Sequence, residues 1–251
     1  MSLSDSIIVI LVQTQVSGNI GAVARAMMNN GADKLRLVNP TAHHLNRECL
    51  DRSMTADSIV REAQVYQTLK EATKDCHLIV GTSGKKRSGR VEWKTPREFA
   101  EIFLADLGKK VALVFGQEDR GLDSDDLALC DLLIEIPTSE KFPSLNLSHA
   151  VMIILYELFL QSNVGAALCG RPQLGQPHRL APTADPPATA EQKEAFYEQF
   201  EKALWALKVL ETKSSDRMLR TFRSLFGRAN LDEYEVGLLR GMCRKILEKI
   251  F

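Results

Sequence analysis

The stretch FPSLNLSHAVMIILYE, residues 142–157, begins as a polar turn built on Pro143, Ser144 and Asn146 and then becomes almost wholly apolar. At about 100° per residue, Leu147, Ala150, Val151, Ile153, Ile154, Leu155, Leu158, Phe159 and Leu160 point in nearly every direction, so a helix here must be covered on most sides. It is too short, and too interrupted by Glu157, to span a bilayer. A turn whose backbone N–H groups, serine and asparagine are held by such a helix is a good place for a ligand. The plain alternative is an N-cap before a core helix.

Working outward, apolar β-branched runs alternate with helical patterns. Strands are expected at residues 6–12 (SIIVILV), 35–38, 77–80 (HLIV), 111–115 (VALVF) and 132–136 (LLIEI), with a minor one at Val65 and Tyr66. Residues 18–30 read as an amphipathic helix, with Gly31 where a helix C-terminal glycine belongs. Further helices are expected at residues 68–74, 96–107 and 122–129. This alternation predicts an α/β fold on a parallel sheet. Glycines and prolines then interrupt residues 161–190. Beyond them three helices follow, near residues 190–210, 214–227 and 231–250, the first opened by a capping box at Thr189 and Gln192. The expected division is an α/β domain over residues 1–163, a linker over 164–188 and a small helical domain over 189–251.

The 251 residues suffice for a full core, and 32 basic against 32 acidic residues leave nucleic-acid binding to local patches. Five scattered cysteines without a C-x-x-C point to reduced thiols and a cytoplasmic address, with neither signal peptide nor metal site expected. His43, His44 and Cys49 lack a fourth ligand at metal spacing.

The candidate chemistry lies at the ends of strands. Thr82-Ser83-Gly84, Gly116-Gln117-Glu118 and the run from Ile136 to Asn146 all occupy the carboxyl ends of strands, where parallel sheets bind ligands. Gly18-Asn19-Ile20-Gly21 resembles part of a dinucleotide fingerprint, but Val16 stands where the first glycine is required. Arg25, on the exposed side of the same helix, is placed to reach a phosphate. Lys85, Lys86, Arg87, Arg90, Lys94 and Arg97 form the strongest basic cluster, read as either a phosphate contact or a solvated loop. Residues 118–140 carry eight acidic residues and, of basic ones, only Arg120. Arg217, Arg220 and Arg223 give one helix a cationic face, read as solvated or as an RNA or partner surface.

Three stretches, NIGAVARAMMNNG (19–31), VALVFGQEDRGL (111–122) and IPTSEKFPSLNLSHAVMIILYE (136–157), resemble in order and spacing the motifs of the SpoU/TrmH-type RNA 2′-O-methyltransferases of the SPOUT superfamily. The resemblance implies a deep trefoil knot, against the general rule that chains avoid knots, a homodimer, and S-adenosylmethionine as methyl donor. It implies a cofactor pocket of Thr82, Ser83, Gly84, Gly116, Ile136, Pro143, Ser144 and Leu145. It also implies a catalytic Arg25 with Asn19, Glu118 and Asn146 orienting substrate or that arginine. Lys85, Lys86, Arg87, Arg90, Arg217, Arg220 and Arg223 are then candidate RNA contacts. The helical extension, with RTFRSLFGRANLDEYEVGLLRGM at 220–242, is similar to that of tRNA-modifying members. This implies cytidine or uridine at position 32 of the anticodon loop. The same chemistry on ribosomal RNA, or an inactive RNA-binding module, are the alternatives.

Overall fold

The computed structural model describes residues 3–84, 92–105, 109–168, 186–210, 215–229 and 231–250. Lys85, Lys86, Arg87, Arg90 and most of the expected linker (169–185) lie outside them. The chain forms two compact units, Met1–Thr73 with Leu78–Pro172, and Lys74–His77 with Gln173–Phe251.

The first unit is built on seven strands: β1 (Ile7–Val12), β2 (Lys34–Val38), β3 (Gln64–Tyr66), β4 (Leu78–Thr82), β5 (Glu92–Lys94), β6 (Val111–Phe115) and β7 (Leu132–Ile134). Their order across the sheet is β3-β2-β1-β6-β4-β7-β5, and every pairing is parallel. Every residue of β1 and β6 is buried, as continuous apolar runs in a sheet covered on both faces must be. Each buried Ile, Leu or Val side chain contributes about 1.5–3 kcal/mol on leaving water. Strand β5 was not expected: Glu-Trp-Lys is too short and polar to show a strand pattern, and it is a strand because β7 supplies an edge to pair with.

The helices of this unit are α1 (Leu3–Ser6), α2 (Ser17–Asn29), α3 (Arg47–Ser53), α4 (Asp57–Arg61), α5 (Leu69–Thr73), α6 (Pro96–Ala105), α7 (Ser124–Ala128) and α8 (Leu147–Leu168), with a 3-10 turn at Met54–Ala56. Helix α2 ends as its sequence suggests: the Ala32 N–H donates back to the Met27 carbonyl, and Gly31 adopts φ +73°. Gly21 is needed where α2 crosses α3, since a Cβ there would stand 2.1 Å from the Cys49 carbonyl oxygen.

Helix α8 packs against α2 and α6. It buries Leu147, Val151, Ile154, Leu155 and Leu158 while leaving Tyr156, Phe159 and Leu160 exposed. The helix that reads as apolar all round is therefore covered on one side only within a single chain. It also continues to Leu168, past the expected domain boundary at residue 163.

The second unit contains α9 (Ala190–Ala206), α10 (Ser215–Arg228) and α11 (Glu233–Ile250). Thr189 and Gln192 form the expected capping box, and Asp232 and Glu235 form a second one. Its core includes an aromatic cluster in which Phe226 meets Phe196 edge-on at 5.1 Å and Phe200 at 5.7 Å.

Candidate functional site

Because all seven strands are parallel, the carboxyl ends of β1, β6, β4 and β7 lie side by side. The register sets Leu11 beside Phe115, Gly81 beside Val114, and Thr82 beside Ile134. The chain runs outward from β1 to β2 and β3, then crosses to the other half of the sheet. The order reverses between β1 and β6, which is where open parallel sheets form a ligand crevice.

A cavity of about 420 Å³ opens at this edge, within the range of small-molecule sites. Thr82, Ser83, Gly84, Gly116, Ile136, Pro143, Ser144 and Leu145 all line it. Phe115, Gln117, Glu118, Asp119, Arg120, Gly121, Leu122, Ile134, Leu147 and Ala150 complete the lining. Sequence reading did not single out most of this second group as lining. The glycine-ended β6 and the acidic loop after it were visible, but not which of their side chains turn inward.

The β4 wall is held by Thr82, whose hydroxyl donates to the Val114 carbonyl at 3.1 Å, and by the Ser83 N–H, which donates to the Ile134 carbonyl at 3.1 Å. The β6 wall is a closed loop. Gln117 and Gly121 exchange backbone hydrogen bonds of 3.2 and 2.9 Å, with Gly121 at φ +70°. Gly116 lies so close to that loop that a Cβ would sit 2.1 Å from the Gly121 carbonyl carbon.

Beside the cavity, three residues far apart in sequence form one relay. Glu118 Oε1 accepts from Asn19 Nδ2 at 2.9 Å, and Asn19 Oδ1 accepts from Asn146 Nδ2 at 3.1 Å. Asn146 Oδ1 in turn accepts from the Ser148 N–H at 2.9 Å and the Ser148 hydroxyl at 2.7 Å. A carboxylate that only accepts stands at one end and a backbone N–H that only donates at the other. Each asparagine amide thus has one orientation that satisfies the chain. Glu118 also accepts from the backbone N–H groups of Gln15 (3.0 Å) and Val16 (3.3 Å), just before α2. Asn146 therefore caps α8 and belongs to the relay at once, so the plain and functional readings of the turn are compatible.

A second carboxylate meets the start of α2, where Glu48 accepts from the Ser17 hydroxyl at 2.7 Å. Sequence reading had no signal for this, since Glu48 is one exposed acid in a polar segment. The Gln117 side-chain amide donates to Gln13 Oε1, tying the β6 loop to the β1 loop.

Arg25 stands on the exposed face of α2, outside the cavity lining. Arg217 and Arg220 are exposed on α10. Arg223 differs from them: its guanidinium forks onto both Glu194 carboxylate oxygens and lies 4.4 Å from the Tyr197 ring centre. The cationic face seen in the sequence thus divides, because α9 offers a half-buried acid and an aromatic ring opposite Arg223 but not opposite the other two.

The SpoU rRNA methylase family profile matches residues 6–156, the stretch containing the sheet, the cavity and the relay. The chain belongs to the SpoU rRNA methylase family. Residues 191–250 match a second profile, that of the tRNA methyltransferase TrmJ C-terminal domain. Over 154 residues, 60% of this chain and 66% of the relative, it is 42% identical to the tRNA (cytidine-2′-O-)-methyltransferase TrmJ of Methanocaldococcus jannaschii. Over 243 residues, 95% of this chain and 92% of the relative, it is 34% identical to the tRNA (cytidine/uridine/adenosine-2′-O-)-methyltransferase TrmJ of Pseudomonas aeruginosa. The crystal structure of TrmJ from Z. mobilis ZM4 superposes with a TM-score of 0.78 at 31% identity, covering 95% of this chain and 98% of that one. The SpoU methylase sheet and the helical C-terminal region are thus both shared with solved relatives. Among the described residues, no helix is long and apolar enough to cross a membrane.

Proposed function

We propose that this SpoU-family protein is an S-adenosylmethionine-dependent tRNA (cytidine/uridine-2′-O-)-methyltransferase acting in the cytoplasm on position 32 of the anticodon loop. The observation that carries this reading is the cavity lined by Thr82, Ser83, Gly84, Gly116, Ile136, Pro143, Ser144 and Leu145, with the Glu118–Asn19–Asn146 relay beside it. The TrmJ-type helical region favours tRNA over ribosomal RNA as substrate. Residues 1–163 are the methyltransferase domain, its sheet region tied in the family's trefoil knot. Residues 164–188, apart from the end of α8 at Leu168, are a linker, and residues 189–251 assist RNA binding. The apolar Tyr156, Phe159 and Leu160 on α8 are covered by a second copy of the chain in a homodimer.

The cavity suits the cofactor: its walls combine apolar side chains with backbone from three strand ends, and Gly116 allows the β6 loop to close tightly. When bound there, S-adenosylmethionine supplies a methyl group already activated by its sulfonium. The protein's task is then to position the ribose and assist loss of its 2′-hydroxyl proton. An arginine side chain is effectively always protonated in proteins, so it makes a poor general base. Arg25 instead clamps the neighbouring phosphate and stabilises negative charge developing on the ribose oxygen. Asn19 and Asn146, with their amides fixed by Glu118 and Ser148, orient the nucleotide beside it.

Incubating the purified protein with unmodified tRNA and labelled S-adenosylmethionine, then mapping 2′-O-methyl positions, tests this reading. Label in the anticodon loop is expected, and an unmodified anticodon loop rejects the tRNA assignment. Arg25→Ala is expected to abolish transfer while leaving cofactor binding intact; full turnover in this variant would remove Arg25 from the mechanism.

A further inference from the structure

We propose that Arg120 is an RNA-phosphate contact at the rim of the cavity, a positioning residue for the substrate; this rests on the methyltransferase reading above. Among the described lining residues Arg120 is the only cation, set against the carboxylates of Glu118 and Asp119. Its side chain is 82% exposed, so the charge faces solvent, from which a macromolecular substrate arrives, rather than the enclosed walls where a cofactor lies.

The base of the side chain is fixed even though its tip is free. Gln117 and Gly121 close the loop by two backbone hydrogen bonds, and Glu118 anchors it to Gln15, Val16 and Asn19. Arg120 is therefore presented from a rigid support two residues from the relay. Its partner is Asp119, whose Oδ2 lies 3.4 Å from Nε. Beyond this ion pair with Asp119, the Arg120 guanidinium has no hydrogen bond to a described residue. An exposed pair of this kind is weak, and a phosphate offers the planar guanidinium a two-pronged contact that displaces it readily. The electrostatic setting gives the cation a purpose. Residues 118–140 carry eight acids and only this one basic residue, so an RNA backbone approaching this side of the cavity meets repulsion that Arg120 offsets.

The test uses the full-length protein, unmodified tRNA and S-adenosylhomocysteine as cofactor probe. Wild type, Arg120→Ala, Arg120→Lys and Asp119→Asn are compared for tRNA Kd and KM between about 50 and 200 mM salt, and for S-adenosylhomocysteine Kd. Arg120→Ala is expected to raise tRNA Kd and KM roughly two- to fivefold at low salt, and to lower the slope of log Kd against log salt by about one. Cofactor-product affinity, kcat and melting temperature should stay at wild-type values. Arg120→Lys should fall between the two, and Asp119→Asn, which removes a repelling charge and releases the guanidinium, should tighten tRNA binding about twofold. Unchanged tRNA affinity and salt slope in Arg120→Ala overturn the inference. So does weakened S-adenosylhomocysteine binding with tRNA binding intact, which makes Arg120 the partner of the cofactor's carboxylate. If wild type itself methylates no tRNA, the proposed function falls and takes this inference with it; if wild type is active and Arg120→Ala matches it, only this inference falls.

Discussion

Gly116→Ala is expected to be the most informative single-methyl change in this protein. The added Cβ would stand 2.1 Å from the Gly121 carbonyl carbon, 2.2 Å from the Leu122 nitrogen and 2.4 Å from the Gly121 oxygen, all backbone atoms that cannot rotate away. Ordinary contact begins near 3.4 Å, so the loop must retreat by 3.4 − 2.1, or 1.3 Å. That retreat strains the two Gln117–Gly121 hydrogen bonds and pulls on buried Leu122. Overpacking of this kind costs about 1–3 kcal/mol, and the two hydrogen bonds, lengthened rather than lost, together add about 1 kcal/mol. The expected loss is about 2–4 kcal/mol, a large part of a typical domain's stability. The melting transition of the α/β unit should fall by roughly 5–15 °C. Since the loop carries Glu118 and lines the cavity, cofactor affinity should fall with it. Calorimetric melting with a parallel cofactor titration provides the readout, and Gly84→Ala, whose added Cβ meets nothing within 4 Å among the described residues, is the control for melting alone, since Gly84 lines the same cavity. A Gly116→Ala protein melting within about 2 °C of wild type would show that the loop yields freely and refute the reasoning.

Three other changes separate the parts of the molecule. Removing Glu194 leaves Arg223 half-buried and unpaired; after allowance for its 30% side-chain exposure, Glu194→Ala should destabilise the helical unit by about 1–3 kcal/mol in chemical denaturation. Glu118→Ala deprives the Gln15 and Val16 N–H groups and the Asn19 amide of their acceptor. It should lower kcat by more than tenfold, whereas Glu118→Gln, which keeps one acceptor oxygen, should retain part of the activity; equal activity in both would exclude a positioning role. Burial, followed by repulsion from Asp123 and Asp125, raises the Asp126 carboxyl from 3.8 to about 6. The folded state therefore holds this proton more tightly than the unfolded chain, so the charged form destabilises progressively as pH rises from about 4 to about 6. Asp126→Asn should add about 1 kcal/mol above pH 6, after discounting for solvent screening, and nothing below pH 4; a gain independent of pH would rule out titration of Asp126 as the cause.

Much of the architecture is written locally in the sequence. β-Branched runs specify the strands at 7–12 and 111–115, Gly31 stops α2, and Thr189 with Gln192 starts α9. Each depends on periodicity or on one residue's own hydrogen-bonding and conformational preferences, which neighbours a few positions away can express. The strand-end loops that line the cavity, though not most of the side chains on them, were legible for a related reason: in a parallel sheet every strand ends at the same edge, so small and polar strand ends gather there whatever the strand order.

The order itself was not legible. Nothing local to residues 111–115 says that β6 inserts between β1 and β4, because that choice is made by pairing with strands far away in the chain. The relay depends on it, joining Asn19 to partners 99 and 127 residues distant. The same limit hid β5, which exists only because β7 offers it an edge, and the engagement of Arg223, which depends on what α9 places opposite. Residues 142–157 hold both kinds of information. Their sequence determined a polar turn entering an apolar helix, since composition and period alone require it. Only the tertiary structure decided that Asn146 reaches Asn19 and that Tyr156, Phe159 and Leu160 stay uncovered in one chain, because burial and hydrogen-bond partners are properties of what the rest of the fold brings near.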